Sequence, residues 1–347
     1  MTLGTEVFAL ALAAAMMLTA FAGAGADPNR QDELIFPPSD RYPAVHASTI
    51  VELANGDLLC AWFGGQHEGA TDVAVWHSRK ASGSNVWTPP AILADDPTRP
   101  EANPVLFEDP QGRVWLFYAT MYGEGCVTCK VKCQWSDDQG QTWSATRILR
   151  DELSWVTRNK PIVLDNGDWL LPIYDERVWT SRIMISTDQG RTWFDSEDIA
   201  TPGRTGNIQP TLAQLADGSI LALMRRGRPP ERIWQSRSHD RGRTWSEPVT
   251  AELPNPNAAT DMVRLANGHL VLALNNSESE RTPLTLAVST DEGETWAHVR
   301  DLEATPGRFS YPAIIQARDG AIHVTYSHRG TTIKHVALNE EWIVAGR

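Results

Sequence analysis

Short polar segments recur along this sequence and hold most of the side chains able to do chemistry. One set comprises Arg41, Asn103, Lys160, Gln209, Asp261 and Tyr311, each at or beside the start of a short apolar run. A second set follows the partner of each run. It comprises Gly64 to Glu68, Met121-Tyr122, Asp175-Glu176, Arg225-Arg226, Asn275-Asn276 with Arg281 shortly after, and Ser327-His328-Arg329. Arginines gathered on one face would hold an anion, and the planar guanidinium fork suits a carboxylate. Glu68 could protonate a leaving group if its pKa were raised, and the imidazole of His67 is the rival acid. Asp72 stands close by, and Asp261 and Glu176 are spare carboxylates. Tyr311 is a phenol of ordinary pKa about 10, a poor nucleophile without an activating neighbour. Any one of these charges could equally be half of a structural ion pair, because paired charges mark sites only statistically.

These segments face one another only if a repeated element brings them together, and the sequence has one. Ser-x-Asp-x-Gly-x-Thr-Trp occurs at Ser136 to Trp143, Ser186 to Trp193, Ser238 to Trp245 and Ser289 to Trp296. The starting serines are 50, 52 and 51 residues apart. Asp and Gly suit a tight turn with a positive-φ position, the Ser and Thr hydroxyls can bond the backbone locally, and the Trp would pack the turn down. In phase with these boxes run six hairpin turn dipeptides: Asn55-Gly56, Gln111-Gly112, Asn166-Gly167, Asp217-Gly218, Asn267-Gly268 and Asp319-Gly320. Each lies between two short apolar strands, the first starting near Tyr42-Pro43, Asn103-Pro104, Lys160-Pro161, Gln209-Pro210, Asp261-Met262 or Tyr311-Pro312. A decayed box lies near Ser78 to Trp87, and the last repeat ends at Trp342.

Six units of about four strands and ~50 residues each predict an all-β, six-bladed β-propeller over residues 27–347. In that fold the start of each first strand and the end of each second strand share one face, so the two polar sets converge. Glu33 to Phe36 should supply an outer strand to the last blade and close the ring.

At these residues the chain resembles the sialidase (neuraminidase) superfamily, in its branch of bacterial and plant Asp-box proteins. The boxes resemble that superfamily's structural Asp-boxes. Further marks are Trp62 to Gly69 (WFGGQHEG), Leu253 to Asn257 (LPNPN) and Ser310 to Ala313 (SYPA). Arg41-Tyr42-Pro43 resembles the Arg-Ile-Pro motif bearing the first carboxylate-binding arginine; Arg226 and Arg281 resemble the second and third. Tyr311 resembles the tyrosine nucleophile, and Glu68 falls where the family's acid/base aspartate lies. Asn207 or Gln209 stands where the family has the glutamate that activates the tyrosine.

The resemblance implies an exo-acting glycoside hydrolase for sialic acid or a related 2-keto-3-deoxy sugar acid. A polysaccharide lyase with His67 or Tyr311 as base, or another glycosidase, acting on uronate-containing glycans is an alternative. A non-catalytic glycan-binding propeller is another, and the missing carboxylate supports it.

Composition narrows the partners. The net charge is −12 with no run of Lys and Arg, so nucleic acid is not an expected partner. The substrate is expected to be a glycan or sugar acid, and the protein a monomer. There is no dense Asp/His cluster, phosphate loop or coenzyme fingerprint, so no metal and no cofactor is expected. Residues 7–22 are apolar and precede small residues at 22–26, which reads as a signal peptide over 1–26, with a retained N-terminal anchor as the alternative, and a secreted or periplasmic location. Beyond that segment no stretch is apolar enough for a bilayer, and no membrane partner is expected. Cys126, Cys129 and Cys133 form either a loop disulfide or free thiols.

Overall fold

A computed structural model describes residues 27, 29–204 and 206–346, so the expected signal segment 1–26 lies outside the described residues. The chain forms six antiparallel sheets arranged as the six blades of a propeller. Blade 1 runs Ala44–Glu52, Leu58–Gly65, Ala74–Lys80 and Ala91–Ala94. Blades 2, 4 and 5 repeat this order, starting at Glu101, Asn207 and Asp261. In blade 3 the innermost strand is broken into Trp155–Thr157 and Ile162–Val163. Blade 6 has three consecutive strands from Phe309–Gln316 to Thr332–Leu338, and Arg30–Leu34 adds the fourth.

The closing strand begins three residues earlier than the sequence suggested, pairing Arg30 with Leu338 and Leu34 with Lys334. Ile35 and Phe36 instead turn into the core, where Phe36 stacks on Trp62 with centroids 4.7 Å apart. Glu33 ties the strand to both neighbours, accepting from His335 Nδ1 at 2.8 Å in blade 6 and from Lys80 Nζ at 2.6 Å and Trp87 Nε1 at 3.0 Å in blade 1.

The four boxes are superposable hydrogen-bond devices. In the first, Ser136 Oγ donates to Asp138 Oδ1 at 2.7 Å and accepts from Gly140 N at 2.8 Å. Thr142 N and Oγ1 both donate to the same carboxylate, at 2.8 and 2.6 Å. The threonine hydroxyl therefore bonds the aspartate and not the backbone. These donors hold the Asp138 carboxyl down at about 2. The residue before each box glycine and the glycine itself both have positive φ, as at Gln189 (63°) and Gly190 (79°).

Each box staples its blade to the preceding one. Trp143 packs with Leu53 and Leu59 of blade 1, Trp193 with Trp115 and Phe117 of blade 2, and Trp245 with Leu170 of blade 3. The glycines are needed for close approach as well as for φ. A Cβ on Gly190 would lie 2.8 Å from Trp169 and 3.3 Å from Trp115. Gly190→Ala is expected to cost about 2–4 kcal/mol, combining left-handed strain and overpacking. Its thermal unfolding midpoint should fall clearly below that of a Gly218→Ala control, which shares the positive φ but has no atom within 4 Å of the new Cβ.

One local feature decides what faces the axis. In blades 1, 2, 4 and 6 the innermost strand carries a bulge, with a register shift at His46/Thr49, Ala102/Val105, Ile208/Thr211 and Ser310/Ala313. Inside each bulge sits a non-glycine residue with positive φ: Ala47 (53°), Asn103 (45°), Gln209 (57°) and Tyr311 (55°). A bulge re-aims a side chain, and strained backbone of this kind is concentrated at functional sites. Each of these residues lies eight positions before its hairpin dipeptide. The same offset gives Arg158 in blade 3 and Ala259 in blade 5. The blade 1 member of the central ring is therefore Ala47, five residues beyond Tyr42.

Candidate active site at the propeller axis

The second strands end where the sequence placed them, at Gly65, Met121, Asp175, Arg226, Asn275 and His328. Together with the bulges they surround Tyr311. Its hydroxyl accepts from Arg225 Nη1 at 3.0 Å, and the same nitrogen donates to Gln209 Oε1 at 3.1 Å. The Arg281 guanidinium carbon lies 5.5 Å from the Tyr311 ring centroid and that of Arg158 lies 5.1 Å from it. The His46 ring packs on the same phenol with centroids 4.0 Å apart. Asn257 fixes two of the cations: its Oδ1 accepts from Arg225 Nε at 2.6 Å and its carbonyl from Arg281 Nη2 at 3.3 Å. Arg225 also lies over the Trp179 ring at 5.5 Å.

Tyr311 and Glu176 are two of the groups whose acidity this setting changes. Burial pushes the Tyr311 phenol up, but Arg225 and Arg281, with a hydrogen bond from Gln209, more than offset it and the net direction is down. Clustered cations thus favour the phenolate without a carboxylate base. Burial drives the Glu176 carboxyl up; Arg225 pulls it back, Glu68 and Asp175 add to the rise, and it stands at about 7. Its Oε2 is buried with no hydrogen-bond partner. Tyr174, whose hydroxyl accepts from Asn103 Nδ2 at 3.1 Å and Gln209 Nε2 at 3.4 Å, is held neutral by burial.

Of the residues singled out in the sequence, Tyr311, Arg281, Glu176, Gln209 and Asn103 meet here. Glu68 is exposed on the rim, and its charge reaches Tyr311, Arg281 and Glu176. His67 is exposed beside it, with Nδ1 3.1 Å from the Glu68 carbonyl. Asp72 folds this rim loop, both its carboxylate oxygens accepting from Gln66 N at 3.2 Å.

The remaining residues need correction. Arg226 turns away from the axis, donating from Nε to the Asn255 carbonyl at 2.6 Å. Neighbours in a strand point to opposite faces, so Arg225 takes the inward place. Arg41 is exposed and stacks 5.0 Å from the Trp76 ring, because the strand enters the axis at Ala47 rather than Tyr42. Asp261 is buried and fully committed: it accepts from Lys160 Nζ (2.8 Å), Thr211 Oγ1 (2.9 Å), Met262 N (3.0 Å) and Ile314 N (2.9 Å). Asp261 and Lys160 therefore join blades and are not free for chemistry. Asn207 is likewise structural, bonded to Ser181 N and the Ile199 carbonyl. Gln209 alone stands beside the tyrosine.

Sequence reasoning missed Arg158 and His46. Arg158 is fully buried and crosses the axis, donating to the Ser48 carbonyl at 3.3 Å and the Pro312 carbonyl at 2.8 Å. The eight-residue offset from Asn166 would have found it. All four cysteines are free thiols.

Residues 56–324 match the family model for the BNR repeat-like domain. Among curated proteins, the chain is 22% identical over 390 residues to a sialidase of Micromonospora viridifaciens, covering 98% of this chain and 59% of that protein. A sialidase of Bacteroides fragilis is 24% identical over 227 residues, covering 56% of this chain and 41% of that protein. The chain thus spans about half the length of these relatives. The intramolecular trans-sialidase of Ruminococcus gnavus, solved with oseltamivir carboxylate, shares the fold with TM-score 0.75 at 15% identity, over 93% of this chain and 99% of that one. A Dyadobacter fermentans protein of unknown function has TM-score 0.77 at 16% identity, over 90% and 100% of the two chains. By its family match and its six-bladed fold, the chain belongs to the BNR repeat-like domain family and is a sialidase-like propeller.

Proposed function

We propose that this protein is an exo-acting glycoside hydrolase that releases a terminal sialic acid or a related 2-keto-3-deoxy sugar acid from glycans. The observation that carries this reading is the Tyr311 phenol bonded by Arg225 at 3.0 Å and flanked by Arg281 and Arg158. Arg225 and Arg281 bind the sugar carboxylate. Tyr311, its acidity increased by those cations, stabilises or traps the oxocarbenium-like centre, the tyrosine variant of glycoside hydrolysis. Glu176, standing at about 7, protonates the leaving oxygen and then serves as base toward water. Glu68 borders the mouth and shares this proton economy through its charge.

Gln209 in place of a carboxylate favours a second reading, a propeller that binds the sugar acid without cleaving it. Release of fluorophore from α-sialoside, Kdn and Kdo glycosides separates the two. Turnover by the wild type and a rise in KM of about 10–100-fold in Arg281→Ala are expected, the loss of one charge-assisted contact. Tight binding of a free acid with no turnover establishes the binding propeller. Neither binding nor turnover defeats both.

A further inference from the structure

His46 belongs to no role assigned so far, yet it touches the central phenol. Its ring packs on Tyr311 at 4.0 Å and edge-on to Phe63 at 5.8 Å. It precedes Ala47, the strained bulge residue of blade 1. Its Nδ1 lies 3.0 Å from Ser327 Oγ, and Ser327 Oγ also accepts from Ala47 N at 3.1 Å.

Those two contacts fix the tautomer. Ser327 is buried, and its hydroxyl has one proton to place. The Ala47 amide can only donate, so the remaining partner for that proton is His46 Nδ1. Were Nδ1 protonated instead, the buried hydroxyl would have two donors facing it and no acceptor for its own proton, which is costly. Nδ1 therefore accepts, and the ring proton resides on Nε2. His46 is only partly buried, and among the described residues no hydrogen bond is made to Nε2, which leaves that N–H for a ligand.

The surroundings keep the ring uncharged. Burial is the main cause, and Arg281, Arg308, Arg158 and Arg225 oppose a further positive charge, holding His46 well below the ordinary histidine value. Beside the charged donors the ring thus offers a neutral, directional one.

We propose that His46 is a substrate-contacting specificity residue: its Nε2–H donates to an uncharged oxygen, ring or hydroxyl, of the sugar acid seated over Tyr311. This rests on the sugar-acid reading above. An imidazolium would add only a further anion contact, whereas a neutral donor selects for an oxygen at one place on the ring.

The test has two arms. Nitrogen-15 NMR of the wild type at neutral pH reads the tautomer directly; a protonated Nε2 and bare Nδ1 are expected, and the reverse overturns the proposal. Calorimetric titration with free N-acetylneuraminic acid, Kdn and Kdo then compares the wild type, His46→Phe and His46→Gln. His46→Phe should bind about 10–100-fold more weakly, and His46→Gln, which keeps a donor, should recover part of the loss. Should His46→Phe fail to fold, Ser327→Ala replaces it: Nδ1 loses its donor, the tautomer mixture shifts and binding weakens. Any tightening of wild-type binding as the pH falls from 8 to 6, the range in which Glu176 loses its charge, should persist in His46→Gln, because His46 gains no charge there. Tightening that vanishes in His46→Gln overturns the proposal. So does equal binding by the wild type and His46→Phe. Failure of the wild type to bind any of the three acids defeats the sugar-acid reading itself, a separate outcome.

Discussion

Glu176→Gln is expected to slow hydrolysis of natural glycosides by about 10²–10⁴-fold in kcat, the usual contribution of a positioned general acid. The loss should be much smaller for aryl glycosides, whose leaving groups depart without a proton. The pH profile gives the second signature. A carboxyl raised to about 7 is protonated below that value and loses its proton above it. Wild-type kcat should therefore decline as the pH rises through about 7, and that limb should vanish in Glu176→Gln. Glu68→Gln removes one of the charges that raises Glu176, so it should move the limb to lower pH with a smaller loss of rate. If Glu68→Gln abolishes turnover while Glu176→Gln keeps it, the acid is Glu68 and Glu176 is a binding group.

The other large effect concerns stability. Asp261 is 2% exposed and accepts from blades 3, 4, 5 and 6 at once. Asp261→Ala removes the counter-charge of the Lys160 ammonium and leaves the Ile314 amide and the Thr211 hydroxyl without their acceptor, while the Met262 amide keeps Thr211 Oγ1. Removing one partner of such a buried pair costs about 3–5 kcal/mol, far more than the pair contributes relative to an apolar replacement. Urea denaturation of the two variants checks this. Asp261→Ala combined with Lys160→Met should be less destabilised than the sum of the single changes, because the stranded charge is gone. A loss below 1 kcal/mol would show that water satisfies these groups and that the junction is not a structural hub.

Much of the fold was legible because its signals are local. Ser136 to Trp143 and its three copies are turns whose hydrogen bonds lie within the box, and the six Asx/Gln-Gly-type dipeptides mark hairpins wherever they occur. From these the blade number, the strand exits and the convergence of Tyr311, Arg281 and Glu176 followed. Single-residue assignments failed where non-local geometry decides. Arg225 and Arg226 are indistinguishable by type, and only the strand parity past the bulge at Ile208/Thr211 determines which faces inward. Arg41 carries a motif-like Arg-x-Pro, yet the bulge at His46/Thr49 delays entry into the axis to Ala47. Asp261 looked like a spare carboxylate because its partners come from residues up to 101 positions away. Whether a charge is spent or free depends on such partners and cannot be read from its own neighbourhood.

The seam in blade 6 bears on how the molecule is assembled. Arg30–Leu34 is the earliest strand of the described residues, and it pairs with Thr332–Leu338, the latest. During synthesis this strand must wait, without its partner, for five blades and most of a sixth to emerge. Until then Glu33 has neither His335 nor a completed sheet to hold it. A circular permutant that joins the strand directly behind Leu338 and opens the chain between two blades should form every blade from consecutive residues. It should refold faster than the natural order, because the longest loop closure has been replaced by a hairpin.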